Sequence, residues 1–320
     1  MRVTRRYAGT ADEGGTPRAA RRAPVSPVPD IGTAGPGPRD GEAAISRRTF
    51  AALALGASAT TLTRFTPARP AAARRAVRNV VLVHGAYADG SSWLEVIERL
   101  QEAGLNVTSV QNPLTSLADD VAATERALAL QDGPTVLAGH SWAGTVISQA
   151  GLARVVTGLV YAAARAPDAG EDYTALAARY PEPPANAGLV ASGGFKQLSE
   201  RAFLRDFANG VPRRRALALY AAQGRVSDAL FTAKTTVAAW RHRPTWYAVS
   251  RNDRTTSPDL ERFLAARMRA TTIELESGHL SIVTHPGRIA ALILDATAHR
   301  GPAPRRTAGG PHALRREWPV

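Results

Sequence analysis

The stretch Pro134-Thr135-Val136-Leu137-Ala138-Gly139-His140-Ser141-Trp142-Ala143-Gly144 decides the fold of this chain. Its first half is a short apolar run. Such a run fits a strand buried on both faces, as in a parallel sheet. Its second half opens a segment, 142–152, with the apolar spacing of a helix. Ser141 stands at the junction, on a tight and strained strand-to-helix turn. The positions two before and two after it, Gly139 and Ala143, are small, as such a turn requires. The pattern is G-x-S-x-A-G, with alanine where glycine is commonest. The plain alternative is a serine N-cap on an ordinary βα unit.

Outward from this junction, strand and helix signals alternate. Asn79-Val80-Val81-Leu82-Val83 reads as a buried strand, and 91–103 as a helix with Trp93, Val96, Ile97 and Leu100 on one face. Gly104 suits the C′ position of that helix. The segment 105–110 reads as a strand. The segment 117–130 reads as a helix with Asp119 and Asp120 in its first turn, where the helix dipole favours them. A fourth strand follows at 155–161. The alternation stops over 165–243 and resumes with a strand at 245–250, a helix at 258–268, a strand at 271–275 and a helix at 287–299. Alternating β and α implies right-handed crossovers, and so an α/β fold with a doubly wound, mostly parallel sheet. The interruption predicts a helical cap inserted at about 165–243, over the C-terminal edge of the sheet where open α/β folds bind ligands.

Three further elements fall at strand ends. His84-Gly85 closes the first strand, and the loop it opens supplies the second oxyanion N–H in enzymes that use this serine turn. The two donors are then the backbone N–H groups of Ala86 and Trp142, with His84 a structural residue of the loop. Asp253 follows the strand 245–250, where a carboxylate points into the crevice; a turn aspartate is the alternative. His279, in Ser277-Gly278-His279-Leu280, follows the strand 271–275; a loop histidine without a partner is the alternative. Ser141, Asp253 and His279 thus occur in the chain order nucleophile, acid, base, each just past a strand.

Taken together these features resemble the α/β-hydrolase superfamily, over about residues 79–299. His84-Gly85-Ala86 with Trp93 resembles the small-esterase branch that holds plant methylesterases and hydroxynitrile lyases. Asn112-Pro113-Leu114 and the Asp253-Arg254…Pro258 run are similar to bacterial members. The resemblance implies a serine carboxylesterase acting on a small to medium ester, with no cofactor and no metal. An amidase, a lactonase and a lyase on the same triad stay open, as does a ligand-binding relative without turnover. Gly85 and Leu280 stand where the lyases usually carry Thr and Lys, which favours hydrolysis. Ser141 in place of an aspartate excludes a haloalkane dehalogenase. Tyr173, Phe195, Phe203, Phe207 and Trp240 are candidate walls of the pocket, and Arg213-Arg214-Arg215 reads as a solvated face of the cap.

The net charge of +13 divides unevenly along the 320 residues. Residues 1–79 hold 14 Arg against 5 acidic residues, 300–320 hold 5 Arg against Glu317, and 80–299 hold 21 residues of each sign. The folded part is therefore neutral and lacks the basic balance of a nucleic-acid binder. Without cysteine there are no disulfides, thiolate metal sites or cysteine nucleophile. No apolar run is long enough to span a membrane.

Residues 1–45 read as a disordered extension. Ser46-Arg47-Arg48-Thr49-Phe50, then an apolar segment and Ala71-Ala72-Ala73, resemble a twin-arginine export signal over 46–73. An n-region of 45 residues is long for such a signal, so a later translation start at Val25 or Val28 is expected. The folded domain is then 74–300 and the tail 301–320. The expected partners are the export machinery and a small ester substrate. The oligomeric state is left open.

Overall fold

Five of the first strand's five residues, Asn79–Val83, are buried, and this strand lies inside a six-stranded parallel sheet. The computed structural model describes residues 76–299. The expected extension 1–45, the signal segment 46–73 and the tail 301–320 lie outside the described residues. The main sheet holds β1 (Asn79–Val83), β2 (Asn106–Val110), β3 (Thr135–His140), β4 (Val156–Ala162), β8 (Thr245–Ser250) and β9 (Thr271–Leu275), in the order β2-β1-β3-β4-β8-β9. The central strands β1, β3 and β8 are buried throughout. That is why they read as unbroken apolar runs with no alternation.

The helices that join and cover these strands are α1 (Leu94–Glu102), α2 (Leu117–Ala129), α3 (Ala143–Ala150), α8 (Pro258–Met268), α9 (Ser281–Thr284) and α10 (Pro286–Ala298). Gly104 ends α1 as expected. Its φ is 79°, its N–H reaches Gln101 O at 2.8 Å, and the Leu105 N–H reaches Leu100 O at 3.1 Å. This pair of bonds is the Schellman arrangement. Ser116 caps α2 through its side chain, which accepts the Asp119 N–H.

The insertion between β4 and β8 is helical in part. It holds α4 (Tyr173–Ala177), α5 (Glu200–Ala202), α6 (Arg213–Ala221), α7 (Ala229–Thr232) and a π-turn at Phe203–Phe207. It also holds a second, antiparallel sheet of β5 (Leu189–Ser192), β6 (Phe195–Leu198) and β7 (Val226–Ser227), where the sequence predicts no strand. β5 is largely exposed, so it carries no core-facing pattern. The hairpin is made instead by Gly193 and Gly194, at φ 60° and 76°, as a two-residue turn with positive φ at both positions demands. Ion pairs tie the insertion down, among them two from its helical part. Arg215 of α6 meets Glu95 of α1, and Arg254 meets the fully buried Asp206 of the π-turn at 2.7 Å. Among the described residues no helix is long and apolar enough to cross a membrane.

Parallel register brings one rim of loops together. Val83 pairs with Gly139, Gly139 with Tyr161, and Ala162 with Ala248. The segments that follow β1, β3, β4, β8 and β9 therefore leave the sheet at its C-terminal edge.

Candidate active site

Ser141 sits between the last residue of β3 and the start of α3, with φ at 55°. A residue with a Cβ rarely adopts this conformation. The turn holds because its surroundings admit nothing larger. A Cβ on Gly139 would lie 3.0 Å from the Ala143 backbone, and one on Gly144 would lie 1.8 Å from the Arg165 carbonyl oxygen. The third tight place is across the loop, where a Cβ on Gly85 would come within 2.7 Å of the Ser141 Cβ.

The structure brings together the three side chains picked out by sequence. Ser141 Oγ lies 2.8 Å from His279 Nε2, and His279 Nδ1 lies 2.5 Å from Asp253 Oδ2. His279 and Asp253 are buried, while Ser141 keeps partial exposure. The other oxygen of Asp253 accepts the N–H groups of Thr255 at 2.6 Å and Thr256 at 2.9 Å. Burial pushes the Asp253 carboxyl up, but the charge and hydrogen bond of His279 and the Thr256 N–H outweigh it. The carboxyl is held below its usual range and stays ionised.

The N–H groups of Ala86, next to Gly85, and of Trp142, next to Ser141, donate to no other group among the described residues. His84 is structural: its Nε2 accepts the Asn112 N–H at 2.9 Å while Nδ1–H donates to Gly85 O at 2.9 Å. Burial lowers its pKa and keeps it neutral.

Several supporting residues escaped sequence reading. His140, the variable residue of the serine turn, is fully buried and donates from Nε2 to the His279 carbonyl at 3.0 Å. Burial, aided by the nearby His279, lowers its pKa to about 3. Asp120 stands in the first turn of α2, as expected, and does more than favour the helix start. It is fully buried, and it accepts the Trp142 Nε1–H and the Leu114 N–H, each at 2.8 Å. It thus holds the indole beside the serine. Glu261 of α8 is also fully buried, with Oε2 accepting the Ser250 N–H at 2.9 Å and Oε1 without a partner. Burial and the charge of Asp253 push its carboxyl well above the usual carboxylate range, which favours the protonated form.

Of the five aromatic wall candidates, three reach the site. Phe207 packs against the His279 ring at 5.2 Å, and Phe203 packs against Phe207 at 4.8 Å. Both line a shallow concavity with Tyr87, Ala88, Leu219 and Leu280. The π-turn presents them, and such turns are frequent at functional sites. Tyr173 packs beside Arg165, next to Trp142. Phe195 and Trp240 pack elsewhere, under Arg225 and between Arg241 and Arg267. Among the described residues no cluster of three or more His, Asp or Glu side chains is arranged to hold a metal.

The chain belongs to the Alpha/beta hydrolase family, whose model matches residues 80–292. Among solved structures it is similar to polyneuridine aldehyde esterase, at 16% identity and a TM-score of 0.60, covering 68% of this chain and 98% of that one. It is similar to a pyrethroid hydrolase from Sphingobium faniae JZ-2, at 19% identity and a TM-score of 0.58, covering 69% and 98%. It is also similar to the methylesterase MES16 from Arabidopsis, at 17% identity and a TM-score of 0.58, covering 69% and 99%. At these identities the likeness is one of fold. No curated protein matches the chain.

Proposed function

We propose that this protein is a serine hydrolase that cleaves a carboxylic ester of small to medium size through an acyl-enzyme. The observation that carries the reading is the relay Asp253–His279–Ser141, with contacts of 2.5 and 2.8 Å, beside two untaken backbone N–H groups. His279 Nε2 takes the Ser141 proton as Oγ attacks the ester carbonyl carbon. Asp253 fixes the Nδ1–H tautomer and stabilises the imidazolium that forms. The N–H groups of Ala86 and Trp142 hold the oxyanion, a contribution whose loss lowers kcat by roughly 100- to 1,000-fold per donor. The alcohol leaves with the proton from His279. Water, activated by the same nitrogen, then releases the acid from Ser141. That similar folds include proteins named as esterases supports the ester reading.

The modest aromatic concavity favours short acyl chains. Turnover of p-nitrophenyl esters from acetate to palmitate is expected to peak at short chains and to vanish in Ser141→Ala. A folded wild type that hydrolyses none of them would overturn the ester reading. We further propose that residues 46–73 direct export by the twin-arginine route. Replacing Arg47 and Arg48 together by Lys is expected to keep the protein inside the cell; unchanged export would remove that proposal.

A further inference from the structure

Arg165 is the charged side chain at the site that the proposed chemistry leaves unused. Its backbone is fixed on three sides. Its N–H donates to the Ser141 carbonyl at 3.0 Å. Its own carbonyl packs against the start of α3 so closely that only glycine fits at position 144. One residue earlier, the Tyr247 hydroxyl donates to Ala164 O at 2.6 Å and accepts the Ala164 N–H at 3.0 Å. The chain enters this latch through Ala163 at φ 45°, a conformation unfavourable for alanine. These tethers set where residue 165 stands relative to the nucleophile.

The guanidinium lies among aromatic rings. Its carbon is 4.8 Å from the Tyr173 centroid, 5.4 Å from Trp142 and 5.9 Å from Phe231. Trp142 is the residue whose N–H adjoins Ser141. Aromatic faces attract a cation but accept none of its five N–H bonds in the plane of the fork. Lys196 stacks on the same Phe231 ring at 5.0 Å, yet it also has Asp228 at 3.1 Å. Arg267, in its own aromatic surroundings, has Glu171 at 2.7 Å. Among the described residues Arg165 has no carboxylate or carbonyl partner, and the neutral phenols of Tyr173 and Tyr87 are its polar neighbours. Tyr87 belongs to the loop that packs on Ser141 and to the wall of the concavity. The residue is half-buried. A half-buried guanidinium without an acceptor is poorly satisfied. Its planar fork matches a carboxylate.

We propose that Arg165 binds a carboxylate carried by the substrate, so that the preferred ester has a second, anionic group a few atoms from the scissile carbonyl, as in the half-ester of a dicarboxylic acid. This inference rests on the ester-hydrolase reading and narrows its substrate class.

The test compares p-nitrophenyl hemiglutarate with its uncharged counterpart, p-nitrophenyl valerate, using the full chain. Wild type is expected to favour the half-ester. Arg165→Gln is expected to shift the ratio of the two kcat/KM values by roughly ten- to a hundredfold, through the KM of the half-ester, as loss of a charge-assisted bond implies. Arg165→Lys should restore part of the ratio. Equal proportional losses on both esters, or an unchanged ratio, would overturn the proposal. A second readout is independent of turnover. Monomethyl glutarate titrated into Ser141→Ala should change tryptophan fluorescence, and the change should disappear when Arg165→Gln is added. Binding that depends on Arg165 without any turnover would sink the hydrolase reading and keep the anion site. Turnover of valerate with no preference for the half-ester would do the reverse.

Discussion

Single residues at this site are constrained from more than one side. Gly144 shows it most sharply. A methyl group there meets a backbone oxygen at 1.8 Å, and that oxygen belongs to a segment tethered at Ser141 and Tyr247. Gly144→Ala is therefore expected to destabilise by roughly 2 kcal/mol or more and to lower activity, as strain at a special backbone position does; urea denaturation and ester turnover read both. Glu261 carries a different prediction. Its carboxyl is pushed well above the ordinary 4.5 by burial and by Asp253, so the folded state holds a proton that the unfolded state releases. Stability is then lost as pH rises from about 4.5 toward the folded value. Glu261→Gln should remove this loss, and its melting temperature should fall less between pH 5 and pH 8 than that of wild type; parallel profiles would contradict the assignment. Ser141, Asp253 and His279 were legible in the sequence because a strained turn and three strand ends admit few residues. Glu261 and Asp120 were not. An acid in the first turn of a helix reads as a solvated partner of the dipole, and only the fold reveals that it is buried.

Elements follow the same division. The central parallel strands were legible because burial on both faces leaves a continuous apolar run. The β5–β6 hairpin was not, because its strands are short and β5 is largely exposed. Its one signal was the Gly193-Gly194 pair, which a turn-based reading would have caught. Helix ends offer a comparison within the molecule. α1 stops on Gly104 in the left-handed conformation. α8 stops on Arg269 at φ 52°, and the Ala270 N–H reaches Ala265 O at 3.0 Å in the equivalent arrangement. The same geometry is thus built once with the favourable residue and once without it. Arg269→Gly is expected to stabilise by about 0.5–1 kcal/mol without changing kcat, and Gly104→Ala to destabilise by a similar amount. Thermal denaturation of the two variants checks the sign of each.

Across the whole molecule, titration works from both ends of the pH scale. His140 has its pKa lowered from 6.5 to about 3, so it stays neutral in the fold while the unfolded chain charges it. The sign is opposite to that of Glu261: stability is full above pH 6.5 and is lost as pH falls toward 3. His84 adds to this loss. A loss of several kcal/mol on acidification is expected, measured as the unfolding free energy at pH 7 and pH 4. His140→Gln should flatten that dependence. The molecule's charge, by contrast, misleads when taken as one figure, since the excess of arginine lies in segments outside the neutral domain.

The order of the strands has one more consequence. Ser141 comes before the insertion, and Asp253 and His279 come after it, in the loops that follow β8 and β9. The seam between these halves is the β4–β8 pairing, together with the Tyr247 latch on Ala164. Gly193 and Gly194, exposed at the hairpin tip, offer a place to divide the chain without cutting either half of the main sheet. On the proposed mechanism, fragments made there would each be inert, one holding the nucleophile and the other its base. Their reassociation would restore turnover from zero background, so two proteins fused to the fragments could report their encounter as colour from an ester dye.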